Sequence, residues 1–199
     1  MPRPGLTPDL TPARPWAPLS EAELAVLKPF FVHRGAGRPM HDIRARLDAI
    51  FWAVTHDGFW RDLPAEMGPY ETAARQFRRW AHNGTWSRLL AAVADRAAPK
   101  PLKRLTHWVC RAFRRALRLL GLNGIRLARR LGLHSALNGP VWMVPDPDLS
   151  AALLPRLWGV LQRSIGANGL PQAGVLRALR SFHSLVGGRA HIPRRLAPP

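Results

Sequence analysis

Residues 58–80 read GFWRDLPAEMGPYETAARQFRRW: a short helical turn, a Gly-Pro stop, then a longer amphipathic helix. Pro64 can open one turn, because its missing N–H would be an orphan donor there in any case. Gly68 can end that turn in a left-handed conformation, and Pro69 both stops the first helix and starts the second. Tyr70, Ala73, Ala74, Phe77, Trp80 and Ala81 then recur at three- and four-residue spacing, which assigns them to one inward face. The opposite face carries Thr72, Arg75, Gln76, Arg78 and Arg79, side chains that hydrogen-bond phosphates and base edges.

Working outward, Ser20 is a good helix N-cap, and Glu23 three residues on completes a capping box for a helix with Leu24, Leu27, Phe30 and Phe31 on its buried side. His33 to Met40 reads as a loop; Gly35 and Gly37 lack the preceding strand and third glycine of a nucleotide fingerprint. A helix from about His41 to Asp57 buries Ile43, Leu47, Ile50, Phe51 and Val54, with Asp42 near its positive end and Gly58 at its close. Gly84 to Arg96 forms the next, with Trp86, Leu89, Leu90 and Val93 inward. Trp52, Trp60, Trp80 and Trp86 fall at helical spacing beside Leu and Phe, so they read as core rather than base-stacking rings.

The flanks are plainer. Residues 1–18 are proline-rich without apolar periodicity and read as a disordered tail. Residues 97–101 read as a linker, followed by a basic helical region over 102–187 and a second tail over 188–199. Within that region, Leu102 to Leu120 sets Arg104, Arg111, Arg114, Arg115 and Arg118 against Leu105, Val109, Ala112, Phe113, Ala116 and Leu120. Gly121 and Gly124 break it, and Arg126, Arg129 and Arg130 repeat the pattern to Leu133. Asp148 or Ser150 caps a helix to about Ile165, with Pro155 limiting where it begins, and a last helix covers about Ala173 to Val186. No stretch reads as a strand, so the expected class is all-α.

Charge is the strongest global signal. Thirty Lys and Arg against twelve Asp and Glu give +18. Residues 1–95 hold 12 basic and 10 acidic residues, while residues 96–199 hold 18 basic residues and only Asp146 and Asp148. Codon bias accounts for a share of the arginine, but not for the loss of acids from the second half. Eleven basic residues between 96 and 131 without one acid repel each other unless a polyanion neutralises them. One cysteine, Cys110, allows neither an internal disulfide nor a thiolate-rich zinc site and suits a reducing compartment. No run of eighteen uncharged apolar residues spans a membrane, and the N-terminus lacks the apolar region of a secretory signal.

Residues 19–95 resemble the small helical domain at the N-terminus of many bacterial insertion-sequence transposases of the DDE type. The resemblance runs through Leu19-Ser20 with Leu24 and Leu27, Gly37-Arg38-Pro39, and Leu47 to Trp52. It continues in Gly58 to Pro64, Gly68-Pro69-Tyr70, Phe77 to Trp80 and Gly84-Thr85-Trp86. It implies a helix-turn-helix-like domain that binds the element's terminal repeats ahead of an RNase-H-like catalytic domain. The second half departs from that pattern. Three carboxylates must hold the two metal ions that activate water and stabilise the leaving oxygen. Asp146 and Asp148, two apart on a proline-broken loop, cannot stand in for such a triad.

No other catalytic constellation stands out. The eight histidines lack metal-ligand spacing, no serine sits in an elbow, and Cys110 reads as structural although nearby arginines could lower its pKa. The expectation is therefore a DNA-binding protein without a nuclease centre, cofactor or metal, cytoplasmic and nucleoid-associated. Thr72, Arg75, Gln76, Arg78 and Arg79 would meet the major groove, and Arg111, Arg114, Arg115 and Arg118 would add sequence-independent affinity. Expected partners are double-stranded DNA, a separate transposase catalytic chain and a second copy of the chain, with membrane not expected. The alternatives are a basic amphipathic module acting on a membrane surface or a partner protein, and the remnant of a decayed transposase gene.

Overall fold

The computed structural model describes residues 11–31, 42–165 and 173–188. Its elements are helical throughout, and no strand occurs among the described residues. Two compact units divide the chain, one reaching Asn138 and the other covering residues 139–197. The loop read over 33–40 and the tail over 189–199 lie outside the described residues.

In the first unit, helix α1 covers Glu21–Phe31 and starts as its capping box dictates. The Glu23 N–H donates to Ser20 Oγ at 3.3 Å, and the Ser20 N–H donates to the Glu23 carboxylate at 3.0 Å. Helix α2 covers Ile43–Thr55; Asp42 is its N-cap, accepting from the Ala45 N–H at 2.9 Å, rather than a charge inside the first turn. Trp60–Asp62 and Ala65–Met67 are single 3-10 turns, each too short to pack a face of its own. Helix α3 covers Tyr70–His82 and α4 covers Thr85–Ala94. Gly84 joins these two at φ +75°, a conformation that a side chain would strain.

Helix α5 covers Lys100–Arg104 and α6 covers Thr106–Arg130. The stretch 97–101 is thus no spacer: Pro99 leads straight into α5, which packs on α1, while α6 lies against α2, α3 and α4. The unit extends past residue 96 because α6 supplies a large part of its core, with Trp108, Val109, Ala112 and Phe113 fully buried. Gly121 kinks α6 at φ +56°, ψ −142°, as the expected break. Gly124 does not break it; the helix continues with Gly124, Ile125 and Ala128 buried.

Trp86 is the hub of the core. Its ring meets Phe31, Phe51, Phe77 and Trp80 at centroid distances of 5.8, 6.4, 5.2 and 5.9 Å, and its Nε1–H donates to the Phe77 carbonyl at 3.1 Å. Such edge-on and tilted pairs add to the area that each ring buries. Trp80 and Trp86 are core as expected, whereas Trp52 and Trp60 are half-buried. Residues 11–18 carry no helix yet are tied along the unit. Trp16 Nε1–H donates to the Asp48 carbonyl, and Trp108 Nε1–H donates to the Arg14 carbonyl. Arg14 pairs with buried Glu23 at 2.8 Å and lies 4.0 Å from the Trp108 ring centroid. These bonds, not an apolar period, hold the segment, which is why periodicity gave no sign of it.

The second unit contains α7, Pro147–Arg163, and α8, Ala173–Val186. Asp146, rather than the expected Asp148 or Ser150, caps α7 by accepting from the Leu149 N–H at 3.0 Å, and the helix runs through Pro155. The Asp146 N–H donates to the Val186 carbonyl at 2.9 Å, which ties the start of α7 to the end of α8.

Candidate nucleic-acid interface

Helix α3 divides cleanly by face. Ala73, Ala74, Phe77, Trp80 and Ala81 are buried, while Thr72, Arg75, Arg78 and Arg79 are exposed and Gln76 is intermediate. Tyr70 departs from the expected inward face: it is 40% exposed, although Ala73 and Ala74 behind it are buried. Glu71 in the first turn and Arg79 with His82 in the last suit the helix dipole.

What separates the arginines is their partners. Arg14 pairs with Glu23 and Arg44 with Glu21, and Arg88 donates to the Asn83 carbonyl and the Thr85 hydroxyl. Among the described residues, the side chains of Arg75, Arg78 and Arg79 have no hydrogen-bond or ion-pair partner. Three guanidiniums on one exposed face therefore keep their donors for something outside the chain.

The arginines of α6 have a different occupation. Arg115 donates from one terminal nitrogen to the Ala53 carbonyl at 3.0 Å and from the other to the Gly58 carbonyl at 3.1 Å. Its guanidinium also lies 4.4 Å from the Trp60 ring centroid, and Trp60 packs on Phe77 at 5.3 Å. Arg111 donates to the Val54 carbonyl at 3.2 Å and forms an ion pair with Asp57. Together they close the C-terminal end of α2, where carbonyls lack helical partners and the dipole is negative. Burial, followed by the like charges of Arg118 and Arg111, lowers Arg115 to about 10, with Asp62 opposing the shift. Burial also lowers Arg111 and Arg114. Arg118 is exposed and Arg114 half-buried. Of the four α6 arginines expected on phosphate, Arg111 and Arg115 thus bind this chain's own backbone.

The apolar side of α6 is mostly committed as well. Leu105, Val109, Ala112, Phe113 and Ala116 are fully buried inside the unit, whereas Leu120 is half-buried and Leu119 and Leu122 are exposed. Cys110 is buried too: loss of water raises its thiol to about 11, and the Thr11 hydroxyl 3.9 Å away only moderates this. The arginines on α6 do not activate it.

Sequence patterning missed an open groove of about 490 Å³ beside α3. Phe59, Arg61, Tyr70, Glu71, Arg75 and Arg78 line it. Arg61 lies 4.7 Å from the Phe59 ring centroid. The one signal in the sequence was Phe59, which belongs to no helical period that would bury its ring; the period of α3 assigned Tyr70 inward. Among the described residues, no three His, Cys, Asp or Glu side chains come together to hold a metal ion, and no helix is long and apolar enough to cross a membrane.

The comparisons fall on the same helices. An uncharacterized protein of Sinorhizobium fredii (strain NBRC 101917 / NGR234), named y4sN, is 36% identical over 64 residues, which is 32% of this chain and 51% of that protein. The chain thus spans about half the length of this curated relative. No solved structure matches the chain. A family described as "Putative transposase of IS4/5 family" matches from Leu19 to Leu90, that is, α1 to α4 with Arg75, Arg78 and Arg79 inside. Over residues 19–90, the N-terminal region of this chain is similar to the IS4/5 transposase family.

Proposed function

We propose that this protein binds double-stranded DNA through α3, at the ends of an insertion element, and leaves the cutting of DNA to residues outside this chain. The observation that carries the reading is the exposed face of α3, where the side chains of Arg75, Arg78 and Arg79 stand without partners while neighbouring arginines are engaged internally. Arg and Gln reach base edges in the major groove, and Thr72 with the remaining guanidiniums fixes register on phosphate. The Ala65–Met67 turn, Gly68-Pro69 and α3 behave in this reading as a helix-turn-helix-like unit, with α3, its second helix, entering the groove. Support for the missing nuclease centre comes from the acids: only Asp146 and Asp148 follow residue 95, and the Asp146 carboxylate caps α7. A separate catalytic chain would then act on the DNA that this protein marks.

The test is selection of bound duplexes from random DNA by the full chain, followed by comparison with repeats flanking the gene. Enrichment of one sequence, with affinity falling steeply as salt rises, is expected. Equal recovery of all sequences would reduce α3 to a backbone clamp. Absence of salt-dependent duplex binding would remove the reading altogether.

A further inference from the structure

We infer that the groove beside the first turns of α3 takes one unstacked DNA base, with Phe59 and Tyr70 as its stacking faces and Arg61, Arg75 and Arg78 on the adjoining phosphates. This rests on the reading of α3 as the DNA-contacting helix, and extends it from paired duplex to a distorted or frayed site. Phe59 is 59% exposed and Tyr70 is 40% exposed, so neither ring completes the core. Both line one open cavity of about 490 Å³, within the range of sites that hold small planar ligands. Three of its lining residues are arginines and one is an acid, Glu71, which leaves a net positive rim suited to a phosphate-flanked ring.

The arrangement combines the two elements that hold unpaired nucleotides: aromatic faces for bases and guanidiniums for the backbone. Arg61, held 4.7 Å from the Phe59 centroid, keeps a charge at the rim where a phosphate would arrive. Glu71 fits the same occupant. Its carboxylate repels phosphate from its own wall but can accept from an exocyclic amino group, so it favours adenine, cytosine or guanine over thymine. A base that leaves the stack needs somewhere to go, and the groove adjoins Arg75 and Arg78, which the same reading sets on DNA.

The experiment uses the full chain and three forms of one selected duplex: fully paired, carrying a single bulged adenine, and carrying an abasic bulge. The adenine bulge should bind about five- to a hundredfold tighter than the abasic bulge, the span expected for one stacked base. A 2-aminopurine placed in the bulge should lose emission as the rings cover it. Phe59→Leu with Tyr70→Ser should abolish both effects, while paired-duplex affinity stays within about twofold and the circular dichroism spectrum is unchanged. Single variants at each position, both exposed, guard against a double variant that fails to fold.

Equal binding of the two bulges by the wild-type chain would overturn the inference and leave paired-duplex recognition standing. A groove that instead receives a peptide would give that same result. Loss of paired and bulged binding together in the ring variants would also overturn it. No binding to paired duplex by the wild-type chain would be a failure of the α3 reading itself, and is thereby told apart.

Discussion

At the scale of single residues, arginine has two distinct uses in this fold, and substitution separates them. Arg115→Ala removes donors from two backbone carbonyls and a cation from the Trp60 face, so it should cost about 2–4 kcal/mol in urea unfolding. Arg75→Ala and Arg79→Ala break no internal bond and should leave stability within about 0.5 kcal/mol. Each should instead flatten the log–log salt dependence of DNA binding by about 0.9 for every phosphate that its guanidinium neutralises. Stability unchanged in Arg115→Ala, with binding abolished, would reverse the two assignments. Cys110 allows a test in pH. Its folded thiol is raised to about 11 by burial, so the stability it contributes is fully present below the unfolded value near 9. That contribution is lost as pH rises through about 11, because the unfolded chain releases its proton first. The deficit of Cys110→Ala relative to wild type should therefore shrink by about 2–3 kcal/mol between pH 8 and pH 11 in paired urea melts.

At the scale of elements, caps and helix periods were legible, and the reasons are local. Ser20 with Glu23 is a reciprocal bond between residues three apart, and the Ala73–Phe77–Trp80 stripe is a property of one helix. Tyr70 shows where periodicity ends: its register matches the buried stripe, yet at the first position of α3 its ring stays 40% exposed. Asp42 and Asp146 show a related limit, since choosing the cap among neighbouring polar residues needs backbone angles. The break at Gly121 was legible, and its cost can be measured. Alanine there would have to adopt φ +56°, a strain of about 1–3 kcal/mol that outweighs the gain of about 1 kcal/mol in helix propensity. Gly121→Ala should lower the melting temperature; a rise would mean that α6 is straight in solution.

At the scale of the whole molecule, composition pointed to a polyanion but could not say which charges are available to one. Charge counting treats Arg111 and Arg115 as equals of Arg75, although the backbone carbonyls they bind lie 57 to 62 residues away along the chain. The same long-range packing hid the extent of the first unit. A proline-rich stretch at 97–101 resembles a boundary, yet α6 beyond it carries Trp108 and Phe113 into the core. A chain truncated after residue 96 should lack a cooperative melt and bind hydrophobic dye, whereas one ending at Asn138 should melt as a unit. Cooperative unfolding of the shorter fragment would show that α6 only covers a domain already complete.

The clasp on α2 also bears on how freely this sequence can change. Lysine at every arginine position would preserve the formal charge of +18, and with it much of the attraction to a polyanion. An ammonium is a compact point charge, however, and cannot span Ala53 and Gly58 while lying flat on Trp60. Such a rewritten chain would still be drawn to DNA, but through a fold with one helix end left open.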